Sequence, residues 1–308
     1  RSARKESSAA SDVYKRQVLV SDASVGAPPD QYSQKGQDWS QPPWNPQQLA
    51  ESGYGPWRDL LRTALRHSGG IRVDHVLGLF RLFWVPRAGT PAGGVYMNYD
   101  FEAMVGTLVL EAQRAGAVVV GEDLGTFEPW VQDFLRDKGI LGTSVLWFES
   151  IPPGVPRPSQ QYRHLALTAV GTHDLPPTAG YLKGAHNELR HELGLVDDPV
   201  EHLNATDRIW IDQVLGLARE EGALTGDDEK ALITGLTRFV ASTPSAMTCT
   251  NLVDMVGDER IQNQPGTNGE QYTNWRMPLC DATGTPVLIE QLPEVELFQA
   301  VAEASIRN

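Results

Sequence analysis

Apolar residues fall into two kinds of run along the chain. Short, continuous apolar runs predict buried strands; they occur in GIRVD, GAVVVGE, SVLWF, HLALTAVGTHD and SAMTCTNLVDM. Apolar residues at helical spacing predict helices around residues 60–65, 101–114, 129–137 and 294–304. Strands and helices alternate, and each strand is apolar throughout, so the sequence predicts an α/β protein whose parallel sheet is covered on both faces.

Three regions depart from this alternation. Residues 26–58 are rich in Pro, Gly, Gln and aromatics, which predicts a long ordered loop, and loops of that length are usually functional. Residues 184–240 are mostly helical and predict a helical insertion before the last strand. Residues 1–17 are basic and without apolar periodicity, so we expect a disordered or non-native tail. The folded part is then expected over 18–308.

Composition and charge narrow the classes of function. The chain has 26 basic and 39 acidic side chains, a net charge of −13, which argues against nucleic-acid and anionic-membrane partners. No apolar run approaches the roughly 18 residues of a membrane helix. Two cysteines, Cys249 and Cys280, provide neither a disulfide framework nor a metal knuckle, so the sequence favours a cytoplasmic protein.

Carboxylates follow three of the predicted strands. Asp74, Glu122 and Asp174 end successive apolar runs, and His75 and His173 are their neighbours in sequence. In a parallel α/β barrel the carboxyl ends of the strands converge on one pocket. Paired carboxylates there suit glycosidic chemistry, in which one acid protonates the leaving oxygen while another attacks the sugar carbon.

Other interpretations of these residues stay open. A metal site is one, although the seven histidines contain no His-x-His pair of the kind that metal barrels usually use. Asp74 and Asp174 are also compatible with caps of a helix or turn. Trp39 and Trp44 are also compatible with aromatic core residues packed beneath the loop. Arg276 is more simply interpreted as the partner of a core carboxylate.

The motifs also carry a family resemblance. GIRVDH, VVVGEDLG, VGTHDLPP and NQPGTNGEQYTNWRMPL resemble, in order, signatures of the 4-α-glucanotransferases called amylomaltases or disproportionating enzymes, within the α-amylase superfamily. GAPPDQYSQKGQDWSQPPW resembles the active-site lid loop of that family. The resemblance covers about residues 20–300 and implies a (β/α)8 TIM-type barrel. About five strands are predicted, resembling strands four to eight, so the barrel is expected to be incomplete.

The resemblance assigns catalytic roles to the three acids. It implies that Asp74 is the nucleophile, Glu122 the general acid/base and Asp174 the transition-state stabiliser. The reaction would transfer an α-1,4-glucan segment between maltooligosaccharides with retention, which predicts a separation of about 5–5.5 Å between the Asp74 and Glu122 carboxyl groups. No metal or organic cofactor is implied.

The resemblance further implies a set of side chains around the sugar. Arg72 would supply positive charge beside the nucleophile, two histidines would bond the sugar at the cleavage subsite, and two lid residues would touch the glucan. These substrate-binding residues are Arg72, His75, His173, Trp39 and Gln37.

Two alternative functions accompany this one. The first is hydrolysis of α-glucans, and the second is an inactive, truncated fragment that only binds glucan. A barrel without its first three strands would leave sheet edges and a core face uncovered, so we expect this chain alone to be unstable or inactive.

Overall fold

The chain divides into two compact units, residues 1–142 and 143–308. The computed structural model describes residues 18–29, 35–125, 127–152 and 154–307. The tail predicted at residues 1–17 lies outside the described residues. In the part of the chain that is described, no helix combines the length and the apolar character needed to cross a membrane.

The first unit mixes antiparallel and parallel strands. Its strands are β1 (Ala23–Ala27), β2 (Gln37–Asp38), β3 (Gly70–Val73), β4 (Arg81–Pro86), β5 (Val95–Asn98) and β6 (Val118–Gly121). Its α-helices are α1 (Pro46–Glu51), α2 (Gly55–Leu65), α3 (Phe101–Ala115) and α4 (Pro129–Asp137). β2, β1, β4 and β5 form an antiparallel sheet in that order, while β3 pairs with β6 in parallel.

The parallel pair was predicted and the antiparallel sheet was not. β3 and β6 coincide with two of the apolar runs, and Val73 lies opposite Gly121 in their register. β4 pairs with β5 on one side and with β1 on the other, and β1 lies about sixty residues before it in the chain, so no local pattern indicates the pairing with β1.

Helix ends within the first unit follow from their sequences. The Asp100 side chain accepts a hydrogen bond from the Ala103 N–H at the start of α3, and Gly116 ends that helix in the left-handed conformation. The Asn45 side chain likewise caps α1, which begins at a proline.

These helices correct the prediction of one loop over residues 26–58. Within the described part of that segment, Pro46–Glu51 is helical and α2 begins at Gly55. Proline near the first position of both helices, interpreted from the sequence as a loop signal, acts here as a helix start.

A hydrophobic core lies between α2, α3, α4 and the β3–β6 pair. Its most completely buried members include Leu61, Val105, Leu108 and Ile140. At the edge of β6, Leu141 continues the parallel pairing through a bridge to Val120. The core thus supports the two strands from one side and leaves their carboxyl ends to the loops that follow.

The second unit has one short sheet and several helices. Its strands are β7 (Gly142–Val145), β8 (Ala166–Ala169) and β9 (Met247–Cys249), which neighbour one another in that order. β8 and β9 are parallel, with Leu167 opposite Met247. Its α-helices are α5 (Thr178–Lys183), α6 (Ala185–Glu192), α7 (Val200–Glu220), α8 (Glu229–Ala241), α9 (Leu252–Val256) and α10 (Glu296–Ala304).

Two predicted strands of this unit are shorter than expected. β8 ends at Ala169, so Asp174 follows in a loop and does not end the strand as predicted. The predicted strand SAMTCTNLVDM divides into β9 and α9. The residues between β8 and β9 that were predicted to be helical contain α6, α7 and most of α8.

Candidate active site

The register of β3 and β6 brings two acids to one edge. The backbone ladder continues past the strands, because the Glu122 N–H donates to the Val73 carbonyl at 2.9 Å. The Val76 N–H in turn donates to the Glu122 carbonyl at 3.0 Å. Asp74 directly follows β3 and Glu122 directly follows β6. A carboxylate oxygen of Asp74 lies within 4.8 Å of a carboxylate oxygen of Glu122.

Glu122 is buried and held by two backbone donors. Its side chain is only 5% exposed. The His75 N–H donates to Glu122 Oε2 at 2.9 Å, and the Leu124 N–H donates to Oε1 at 2.7 Å. Because each carboxylate oxygen has its own backbone donor, the side chain is fixed in one orientation.

Asp74 is more open and lies beside a positive charge. Its side chain is 56% exposed, and Arg72 Nη1 contacts Asp74 Oδ1 at 2.5 Å. Residues two apart on a strand point to the same face, which explains why this pair forms. His75 Nε2 lies 3.7 Å from the other oxygen, Asp74 Oδ2. The Asp74 carboxylate is thus accessible from solvent, while Arg72 and His75 lie beside its two oxygens.

His75 connects the two acids and carries an unusual backbone. Its φ is 46° and ψ is 54°, in the left-handed region that non-glycine residues seldom occupy. This turn directs the His75 N–H to Glu122 and sets Nδ1 at 3.4 Å from Glu122 Oε2. Strained backbone of this kind concentrates at functional sites.

The predicted lid residues lie on the same cluster. The Trp39 ring stacks on the His75 ring, with centroids 4.7 Å apart and planes 19° from parallel. Trp39 Nε1 donates to Gln37 Oε1 at 3.0 Å. Trp44, by contrast, packs against the hydrophobic core of the first unit. The first unit therefore brings together six of the predicted site residues: Gln37, Trp39, Arg72, Asp74, His75 and Glu122.

The second unit holds the other two predicted residues, His173 and Asp174, as a pair. His173 Nε2 lies 3.2 Å from Asp174 Oδ2, and Asn263 Nδ2 donates to Asp174 Oδ1 at 2.6 Å. The Trp275 ring is 5.1 Å from the His173 ring. Asn263 was missed as a site residue, although it lies in the NQPGT segment that signalled the family.

A buried carboxylate anchors the segment that carries this pair. Asp254, in α9, accepts a hydrogen bond from the Thr178 N–H at 2.6 Å. Asn251 Nδ2 donates to the Gly171 carbonyl at 3.1 Å. Both ends of the segment around Asp174 are thus tied to the residues that follow β9. Burial raises the pKa of Asp254 to about 6, because desolvation outweighs the hydrogen bonds that favour its charged form.

Arg276 has a different partner from the one predicted. Its guanidinium donates to the Gly269 carbonyl at 2.8 Å, so it closes the loop that contains both residues. The expected bond to a core carboxylate is absent from the contacts of Arg276 with the described residues. The polar loop after Asn263 supplies a backbone acceptor nearby, and backbone carbonyls are frequent partners of arginine in such loops.

One cluster has the dimensions of a cation site. Asp74, His75 and Glu122 each offer a ligand atom within 4.8 Å of the others. The donor set suits a divalent ion poorly, because both oxygens of Glu122 already accept backbone N–H groups. The guanidinium of Arg72 also adds a positive charge beside Asp74, which repels a cation.

Acids at the carboxyl ends of parallel strands are typical of α/β enzymes that carry their chemistry at this edge. A family model described as 4-alpha-glucanotransferase matches residues 6–282. The chain therefore belongs to the 4-alpha-glucanotransferase family, as its motifs indicated.

Individual relatives agree with the family model. The chain is 48% identical to a 4-alpha-glucanotransferase of Mycobacterium tuberculosis over 93% of its own length and 40% of the relative. It is similar to the crystal structure of amylomaltase from Corynebacterium glutamicum, with a TM-score of 0.91 and 58% identity, covering 95% of this chain and 43% of the other. The chain thus spans about 40% of the length of the curated relatives it matches.

A more distant structure shares the fold. An amylomaltase from Streptococcus agalactiae, solved in complex with acarbose, matches with a TM-score of 0.66 and 17% identity. That comparison covers 93% of this chain and 51% of the other. The likeness extends the shared α/β fold beyond close sequence relatives.

Proposed function

We propose that this chain carries the catalytic part of a 4-α-glucanotransferase, which transfers α-1,4-glucan segments to an acceptor glucan. The observation that supports this most is the Asp74–Glu122 pair, whose oxygens lie within 4.8 Å across adjoining parallel strands. Retaining glycosidases hold their carboxyl groups about 5–5.5 Å apart, whereas inverting enzymes leave about 6.5–9.5 Å for a water molecule. The short separation supports a retaining double displacement.

The two acids divide the reaction between them. Glu122 donates a proton to the leaving oxygen of the α-1,4 bond while Asp74 Oδ2 attacks the anomeric carbon, which forms a covalent glucosyl-enzyme. Glu122, now a carboxylate, removes the proton from the 4-hydroxyl of the acceptor, which displaces Asp74. The backbone donors to Glu122 and the Arg72 contact to Asp74 Oδ1 keep both groups oriented through the cycle.

Other residues bind and orient the sugar. Asp174 stabilises the oxocarbenium-like transition state, and Asn263 positions its carboxylate through the 2.6 Å hydrogen bond. His75 and His173 donate hydrogen bonds to sugar hydroxyls. Trp39, stacked on His75 and bonded to Gln37, contacts the glucan from the lid.

We also propose a barrel, a helical insertion and a lid for this chain. The parallel pairs β3–β6 and β8–β9 support a (β/α)8 barrel of which this chain supplies about strands four to eight. The helices α6, α7 and α8 would form an insertion in that barrel. The lid would comprise residues 26–45, of which residues 30–34 lie outside the described part of the chain, and it would favour transfer by excluding water from the glucosyl-enzyme.

Incubation of the purified protein with maltotriose tests the function. Transfer yields a ladder of longer oligosaccharides, whereas glucose and maltose alone would indicate the hydrolase, and no product would indicate a glucan-binding fragment. Where transfer is observed, Asp74→Asn should lower turnover by about 10³-fold or more, because the nucleophile is lost. Asp59→Asn, an exposed aspartate on α2, is the matched control and should keep full activity. An unchanged rate in Asp74→Asn would refute the assignment.

A further inference from the structure

A half-open cleft in the first unit lies next to the candidate site but takes no part in the proposed chemistry. Its volume is about 440 Å³. Part of its lining, including Phe80 and Arg81, follows the turn after β3, and another part, including Glu128 and Trp130, follows β6. Its lining residue Leu77 is two residues after His75 in the chain, which places the cleft close to the candidate site. The volume is within the range of about 300–1,000 Å³ that ligand sites occupy.

Several aromatic side chains line this cleft, which we call the aromatic cleft. Phe80 and Phe101 stack with centroids 5.1 Å apart. The Trp130 ring lies 5.8 Å from Phe80 and 5.4 Å from Phe101. Phe80 is buried, but Trp130 is 47% exposed, so a large ring face remains accessible at the rim. An exposed tryptophan backed by packed rings is a rigid platform.

Polar groups accompany the platform. Asn98 and Glu128 line the same cleft and are exposed. Glu128 occupies the position before α4 where a side chain usually caps the helix, yet it makes no capping hydrogen bond. Arg81, which also lines the cleft, lies over the Tyr96 ring at 4.8 Å. A carboxylate, an amide and a guanidinium thus surround an apolar surface.

We propose that the aromatic cleft binds a glucan chain as a subsite outside the cleavage position. A pyranose ring offers an apolar C–H face to a tryptophan and a rim of hydroxyls to planar polar groups, which matches this lining. The cleft is open at its side, so a polymer can enter and leave it. Its closeness to His75 would let one long glucan occupy the cleft and the cleavage site together. The choice of ligand rests on the proposed function.

Binding measurements on Asp74→Asn, which cannot turn substrate over, test this proposal. Dissociation constants are measured by calorimetry for maltotriose and for soluble amylose, with and without Trp130→Ala. A chain that occupies two linked positions gains affinity over one that fills a single position. We expect Trp130→Ala to weaken amylose binding about tenfold and to leave maltotriose binding unchanged. Trp130→Phe should restore most of the loss.

Control variants distinguish glucan binding by the aromatic cleft from glucan binding at the cleavage site. Leu60→Ala, a change to an exposed apolar residue on α2, should alter neither constant. Asn98→Ala and Glu128→Gln alter exposed side chains, so they test the cleft even if Trp130→Ala does not fold. Equal amylose affinity in all three cleft variants and their parent would overturn the proposal. If the protein self-associates and Trp130→Ala abolishes this, the cleft binds a second copy of the chain, which would also overturn the proposal. Failure of the parent to bind any glucan would instead refute the proposed function.

Discussion

Replacement of Asp254 by asparagine should make the protein more stable at neutral pH. Asp254 is almost completely buried, and its pKa rises from an ordinary 3.8 to about 6 in the folded protein. Asparagine keeps one oxygen that can accept from the Thr178 N–H, but it has one acceptor fewer for the side chains of Thr178 and Asn251 and removes a charge that burial penalises. The cost of the charge depends on pH, so the pH dependence of stability reports on the charge.

The sign of the effect follows from proton binding. Between pH 3.8 and about 6 the folded protein retains a proton on Asp254 that the unfolded chain has lost. Folding stability consequently falls as pH rises through this window, and the cost is complete above it. The difference between the two pKa values corresponds to about 3 kcal/mol of folding free energy. About 2 kcal/mol of it develops between about pH 4 and pH 7.

Urea unfolding of the wild type and Asp254→Asn at a series of pH values checks this reasoning. The variant minus wild-type difference in unfolding free energy cancels the titration of all other groups. We expect that difference to grow by about 2 kcal/mol in favour of the variant from about pH 4 to pH 7. Asp59→Asn, which changes an exposed carboxylate, should give a difference almost independent of pH. A flat profile for Asp254→Asn, or a loss of stability that grows with pH, would refute the argument.

Two matched pairs of substitutions test the packing described above. Leu108→Ala should destabilise the protein by about 3 kcal/mol, because Leu108 is fully buried in α3. Leu110 is exposed on the same helix, so Leu110→Ala should change stability by less than about 0.5 kcal/mol. Gly180→Ala should be destabilising, because its Cβ would lie 2.4 Å from the Glu259 carbonyl oxygen. Gly106→Ala has open space within α3 and should stabilise by about 0.5–1 kcal/mol. Chemical denaturation measures all four, and equal effects within either pair would contradict the packing.

Helices and strands whose formation depends on neighbouring residues could be predicted from the sequence. The predicted helix at residues 129–137 is confirmed at its bounds, because Pro129 starts it and its apolar face is periodic. The apolar runs that became β3 and β6 were identifiable because β-branched residues dominate both strands, with Arg72 as the one charged side chain among them. From those strand ends, the proximity of Asp74 and Glu122 followed directly.

Features that depend on distant partners could not be predicted in the same way. β1 pairs with β4 across some sixty residues, and the sequence of a short strand does not indicate which distant strand it pairs with. Asn263 contacts Asp174 from 89 residues further along the chain. The left-handed turn at His75 is set by its hydrogen bond to Glu122, and a histidine in a sequence does not signal such a conformation.

The spacing between the two acids in the first unit is a property of the backbone. Asp74 and Glu122 directly follow Val73 and Gly121, which lie opposite each other in the register, so peptide geometry sets how far apart their carboxylates start. Surrounding loops can lengthen, shorten or change their side chains without altering that distance. A slip of either strand by a single residue would turn one acid to the opposite side of the sheet. Such an arrangement lets the loops change what surrounds the two acids while the spacing of the acids stays constant.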